Sequence, residues 1–330
     1  AAKYKEAGIN TYVALWDGPT PKQFEALKAL GMKLVCHQNE FALKQKDDPT
    51  IIAWMHGDEP DNAQPRQGGG YGPPILPEKI VADYKKIRDA DPSRPVLLNL
   101  GQGVAWDKYI GRGTRSNHPE DYAEYLKGCD VASFDIYPVV HDHADVAGKL
   151  YKVSEGVDRL RKWGDGKKLV WNCIEASRID NEKTKATAAQ VRSEVWMSLV
   201  HGSAGLIYFV HQFKPKFVEA SLLQDADLLA GVTAINQQIQ SLAPALNSPT
   251  IVDGATVKSE SPVDVLVKRP ADATYVFAVG MREQATKAAF EVKGAKGTAE
   301  VLGENRTIPL KDGRFEDDFK PYDVHLYRIK

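Results

Sequence analysis

Cysteine is scarce in this chain. Cys36, Cys129 and Cys173 are the only three among 330 residues, an odd number without C-x-x-C spacing, which excludes a disulfide framework and a thiolate zinc site. A surplus of positive charge is missing too. The 43 Lys+Arg and 44 Asp+Glu give a net charge of -1, too little to displace counterions from a phosphate backbone, so nucleic acid is not expected as a partner. No apolar run approaches the roughly 18 residues of a membrane span, and no membrane partner is expected. A Gly-rich phosphate turn after an early strand is also lacking, which argues against a doubly wound open sheet. The chain begins without Met and without a charged-then-apolar leader, so it reads as a mature, trimmed or recombinant form.

What is present is a regular alternation. Short apolar runs at INTYVALW, MKLVCHQ, TIIAWMHGDEP, RPVLLNLG, DVASFDIYPV, KKLVWNCIEAS and GLIYFVHQF are each preceded by a segment of helical character, the pattern of repeated βα units. Thr20-Pro21 opens one such helix and Gly31 closes it, both ordinary boundary signals. A (β/α)8 barrel takes roughly 250 residues and leaves about 80. Seven strands are visible, and the first of them follows a helix, so the sequence predicts a (β/α)8 TIM barrel over 1–246 whose first strand lies upstream of Ala1. From residue 250 the texture changes to eight β-rich runs broken by Gly, Pro and Asp, which predicts a small antiparallel β-sandwich over 250–330.

In a parallel barrel the chemistry sits at the C-terminal ends of the strands. Two of those ends carry glutamate: Glu59 in WMHGDEPDN and Glu175 in LVWNCIEAS. Paired carboxyls across a barrel mouth are what glycosidic bond cleavage requires, one to protonate the departing oxygen and one to attack or to activate water. Counting the missing strand, Glu59 ends the fourth strand and Glu175 the seventh.

On these residues the sequence resembles the clan A glycoside hydrolases, retaining (β/α)8 enzymes with the acid/base after strand four and the nucleophile at the end of strand seven. The resemblance covers residues 1 to 245 and rests on strand position. It implies that Glu59 is the acid/base, that Glu175 is the nucleophile, and that Tyr137 in FDIYPV resembles the tyrosine that commonly hydrogen-bonds the nucleophile. Many clan members carry Asn before the acid/base, where this chain has Asp58. HGDEPDN and the later HGSAG-LIYF run are similar to the more remote β-galactosidase- and agarase-like branches. The resemblance implies double displacement, with the carboxyls ~5 Å apart, and a carbohydrate substrate met outside the cytoplasm in a secreted or periplasmic setting.

Other strand ends supply candidate sugar contacts, because a pyranose offers apolar faces to aromatic rings and hydroxyls to fixed polar groups. These are Trp16, Gln38, Asn39, His56, Asp58, Asn99, Asp135, Tyr137, Trp171 and His211, with Trp106 in the loop after RPVLLNLG. Barrel packing would account for any one of them. The long stretch DNAQPRQGGGYGPPILP after Glu59 is expected to wall the cleft. His141 and His143 form an H-x-H pair but lie in a loop without further ligands at strand ends, so neither a metal nor any other cofactor is expected. On the helix before GLIYFVHQF, Arg192, Glu194 and Trp196 are explained by buried ion pairing and packing. The rival to an enzyme is a non-catalytic carbohydrate-binding or scaffold protein on the same fold.

Overall fold

The computed structural model describes residues 1–270 and 273–330. Seven strands form one parallel sheet in sequential order: β1 (Thr11–Val13), β2 (Lys33–Cys36), β3 (Ile51–Asp58), β4 (Val96–Leu100), β5 (Val131–Phe134), β6 (Leu169–Glu175) and β7 (Gly205–Phe209). Strands such as β4 and β5 are buried along their whole length, as expected where both faces of a parallel sheet are covered. The sheet curls into a nearly closed barrel. Val13 of β1 and Trp171 of β6 pack on one interior cluster with Val35, Ala53, Met55, Leu97 and Val131, which a flat sheet would hold strands apart. Facing the other way, Phe24, Leu27, Leu34 and Trp54 join a second cluster, and the Trp54 indole donates to Asp91 Oδ2 at 2.9 Å.

The helices are α1 (Ala2–Glu6), α2 (Pro21–Ala29), α3 (Glu40–Lys44), α4 (Pro77–Ala90), α5 (Asp121–Tyr125), α6 (Lys152–Trp163), α7 (Ala188–Val200) and α8 (Ala226–Leu246). Their starts are written in the sequence. Thr20 and Gln23 form a capping box on α2, Thr187 and Gln190 form another on α7, and Asp225 caps α8. Each satisfies amide donors that a helix start leaves unpaired.

The eight C-terminal runs form two antiparallel sheets. One has the order β13-β12-β15-β10-β9 and the other β14-β11-β8, from β8 (Ala255–Ser259), β9 (Val263–Lys268), β10 (Thr274–Gly280), β11 (Thr286–Val292), β12 (Thr298–Val301), β13 (Arg306–Pro309), β14 (Arg314–Phe319) and β15 (Val324–Ile329). Both sheets contribute to one apolar core containing Val276, Phe290, Phe315 and Tyr327, with Phe290 stacked on Phe315 at 4.7 Å. The fold is therefore a seven-stranded (β/α) barrel with a C-terminal sandwich.

By contact density the chain falls into two compact units. The first comprises Ala1–Tyr137, Glu155–Ile174 and Ser203–Phe209, and the second Pro138–Ser154, Glu175–Gly202 and Val210–Lys330. The barrel sheet, up to Ile174 in β6, belongs to the first. The second holds the sandwich together with α7 and α8; there Trp196 packs on Phe277 at 5.3 Å and Ser193 Oγ donates to the Tyr322 carbonyl at 2.6 Å. No helix among the described residues is long and apolar enough to cross a membrane.

Candidate active site

Within the first unit, the C-terminal ends of β3, β4 and β5 converge on acidic residues. The register between β3 and β4 is irregular between Met55 and Asp58, and Glu59 follows at φ 40°, a left-handed conformation that costs a non-glycine residue energy and is concentrated at functional sites. Its backbone is pinned there: the Glu59 amide donates to the Asn99 carbonyl at 3.0 Å, and the Asn62 amide donates to the Glu59 carbonyl at 3.1 Å.

Asn99 is the hub. Its Nδ2 donates to Asp58 Oδ1 and to Asp135 Oδ1, both at 2.9 Å, while its Oδ1 accepts from Ser133 Oγ at 2.7 Å and faces the Cys173 thiol. Asp135 accepts a second bond at Oδ2, from the Tyr137 hydroxyl at 3.0 Å. The Tyr137 hydroxyl is thus spent on Asp135.

Burial raises the Glu59 carboxyl far above the usual range, and the negative charges of Asp135, Asp61 and Asp58 raise it further. Burial and Asp58 also raise Asp135, but its bonds from Asn99 and Tyr137 act in the opposite direction. Two close carboxyls cannot both ionise freely. Burial wins at both, but the donors limit the rise of Asp135 to about 7 against about 10 for Glu59, so Glu59 is the last of the two to give up its proton.

Two residues beyond Glu59, the fully buried Asp61 accepts from the Gly101 amide at 2.9 Å and the Tyr122 hydroxyl at 2.8 Å. Arg112, also buried, donates to the Asp61 carbonyl at 3.3 Å and to Asp121 Oδ2 at 2.8 Å. The Ala63 amide donates to the Gly111 carbonyl at 2.8 Å. These bonds stitch the loop after β3 to the loop after β4. Farther out, the first loop turns back at Gly68, Gly69 and Gly70, all at positive φ, and leaves Tyr71 74% exposed. Trp106 is buried against Tyr109, 5.7 Å between ring centres, so it is part of the packed wall.

The second unit holds Glu175, the last residue of β6. It is fully buried, and its two oxygens accept from the Val139 amide at 2.6 Å and the Val140 amide at 2.9 Å. Burial pushes this carboxyl up to about 7, and a side-chain bond from Glu194 and the two amides keep it from rising further. His211 lies in the same unit, its ring 6.4 Å from that of Phe217 and its carbonyl accepting from Ser177.

The expected sugar contacts therefore divide. Asp58, Asn99, Asp135 and Tyr137 are brought together with Glu59, and Trp16 stands 51% exposed after β1. Gln38, Asn39 and His56 are not in that cluster. Gln38 donates to the Ile87 carbonyl at 3.0 Å, Asn39 caps α3 and donates to the Pro19 carbonyl, and His56 bonds the Ile80 carbonyl and the Gly57 amide. Burial lowers the His56 pKa. Trp171 fills the barrel interior, where Gly205 gives its ring room: a Cβ on that glycine would come within 2.5 Å of the indole. In the histidine pair, His141 Nδ1 accepts from the His143 amide and His143 Nδ1 from the Asp145 amide. No group of three or more His, Cys, Asp or Glu among the described residues is placed to hold a metal ion.

Residues that sequence reasoning passed over are Asp61, Ser133 and Tyr109, the last near the charges of Glu59, Asp61 and Asp135. Glu194, assigned there to a buried ion pair, has Glu175 as its side-chain partner instead.

No family model matches the chain, and no curated protein matches it. Solved structures do share its fold. Gan42B, a GH42 beta-galactosidase from G. stearothermophilus, superposes with a TM-score of 0.63 at 10% identity, covering 99% of this chain and 94% of that one. A GH30 endoxylanase from Clostridium papyrosolvens C71 gives 0.52 at 12% identity, covering 99% and 91%. AmyP, crystallised with maltose, gives 0.52 at 9% identity, covering 99% and 88%. At such identity the likeness is one of fold.

Proposed function

We propose that this chain is a retaining glycoside hydrolase that cleaves β-glycosidic bonds of an oligo- or polysaccharide by double displacement. Glu59 is the acid/base and Glu175 the nucleophile, within a catalytic barrel of residues 1–246 that carries 250–330 as an accessory sandwich. The observation that carries the reading is the placement of Glu59. It is buried at a strand end beside Asp58, Asp61 and Asp135, which pushes its carboxyl up to about 10, in the direction a leaving-group acid needs. A fold in common with a beta-galactosidase and an endoxylanase supports the reaction class.

In the first half-reaction the Glu59 proton passes to the departing oxygen while Glu175 attacks the anomeric carbon and forms a glycosyl ester. In the second, Glu59 takes a proton from water, and the resulting nucleophile opens the ester with net retention. Glu175 suits its part, since two backbone amides favour its charged form. Exposed Trp16 and the Asn99 and His211 side chains are the first candidates for holding the sugar, and a secreted or periplasmic setting fits a polymeric substrate.

Replacing Glu175 by Gln tests this directly. On aryl β-glycosides the variant is expected to lose several orders of magnitude in kcat, while affinity for the sugar survives. A carbohydrate-binding scaffold would show no hydrolysis in the parent protein to lose, and that result would overturn the proposal.

A further inference from the structure

Glu194 occupies the middle of α7, in a run from Ser193 to Ser198 that is buried throughout. Its carboxyl is fully buried, and neither oxygen receives a hydrogen bond from any donor among the described residues. The side chain it meets is Glu175. Two buried carboxylates in contact repel each other strongly, so the pair is stable only with a proton between them. The neighbours of each oxygen decide its owner. Glu175 accepts from two amides, at 2.6 and 2.9 Å, and these donors favour its ionised form. Glu194 has no such donors, and burial together with the Glu175 charge drives it neutral.

We propose that Glu194 is a positioning residue: a carboxylic acid that donates its hydrogen bond to the Glu175 carboxylate, fixing that group and favouring its charged form. The functional part of this rests on the reading of Glu175 as nucleophile. A carboxylate has about four lone-pair sites. Val139, Val140 and Glu194 occupy three, which leaves one directed electron pair for an anomeric carbon. A lysine or arginine in the place of Glu194 would also hold the anion, but its full charge would weaken Glu175 as a nucleophile more than a neutral donor does.

The test is infrared difference spectroscopy of the full chain at neutral pH, with kinetics on aryl β-glycosides beside it. Wild type minus Glu194→Gln is expected to show the carbonyl stretch of a protonated carboxylic acid, and Glu59→Gln is expected to retain that band although Glu59 is itself protonated. A carboxylate band in its place overturns the proposal. Glu194→Met, which removes the donor but keeps the volume and buries no charge, gives the same difference spectrum by a second route. In kinetics, Glu194→Gln keeps a neutral donor and should stay within a few-fold of wild type. Glu194→Met should lose roughly tenfold or more in kcat, and the acid limb of its pH profile should move to higher pH, because Glu175 has lost a bond that favours its charge. Equal losses in both variants with unmoved profiles would reduce Glu194 to a packing role and contradict the positioning claim. An inactive wild type with the infrared band present would instead remove the reading of Glu175 and leave the proton assignment standing.

Discussion

The amide nitrogen of Asn99 lies 2.9 Å from Asp135 Oδ1, and that bond sets where the negative charge sits in the acidic cluster. With Tyr137 as a second donor, Asp135 is pushed up only to about 7 against about 10 for Glu59, so Glu59 is the carboxyl that holds its proton to the higher pH. The hydrogen-bond donors thus decide which of several neighbouring carboxyls acts as the acid.

Asp135→Asn should therefore move the alkaline limb of kcat/KM to lower pH. Among the charges acting on Glu59, Asp135 is the largest after burial itself. Removing it lets Glu59 ionise sooner, so the protonated acid is lost at a lower pH while kcat at the optimum stays within about tenfold. A pH–rate profile checks this; an unmoved alkaline limb contradicts the assignment of that limb to Glu59.

Asp61→Ala should destabilise the fold by about 2–4 kcal/mol, because the Gly101 amide and the Tyr122 hydroxyl are left buried without an acceptor. The measurement is a denaturant midpoint, with the slope unchanged if the unfolded state is unaffected. Activity should fall as well, since the loop that starts at Glu59 loses its anchor.

Much of this architecture is legible in the sequence, and the reasons are local. The strands announce themselves because β4 and β5 are continuous apolar runs, and helix starts because Thr20-Pro21 and Thr187 with Gln190 are capping patterns. Asn39 before EFALK carried such a signal too; at a strand end it was equally readable as a sugar ligand. Asp61 is different. It looks like a solvated loop charge, and its burial depends on Gly101 and Tyr122, far along the chain. Glu194 had a readable sign: in VRSEVWMSLV the apolar neighbours leave α7 little polar face. Its partner could not be read, because an ion pair is the default for a buried acid.

In the sandwich, His325 gives the stability a pH dependence of known sign. Burial lowers its pKa, but Asp323 and Glu304, the latter 2.5 Å away, outweigh that and raise it. A raised imidazole contributes stability that is full below its ordinary value near 6.5 and is lost as pH rises through the raised folded value. Thermal midpoints of His325→Gln and wild type should therefore differ most at low pH and converge at high pH. A constant gap would show that the ring acts only by packing.

Retention at the anomeric centre is the most direct test of the double-displacement account. Proton NMR of the first-formed sugar, released from the aryl β-glycoside that the protein cleaves fastest, should show the β-anomer appearing before mutarotation produces the α-anomer. First appearance of the α-anomer, or no cleavage across a panel of aryl glycosides and polysaccharides, would contradict it.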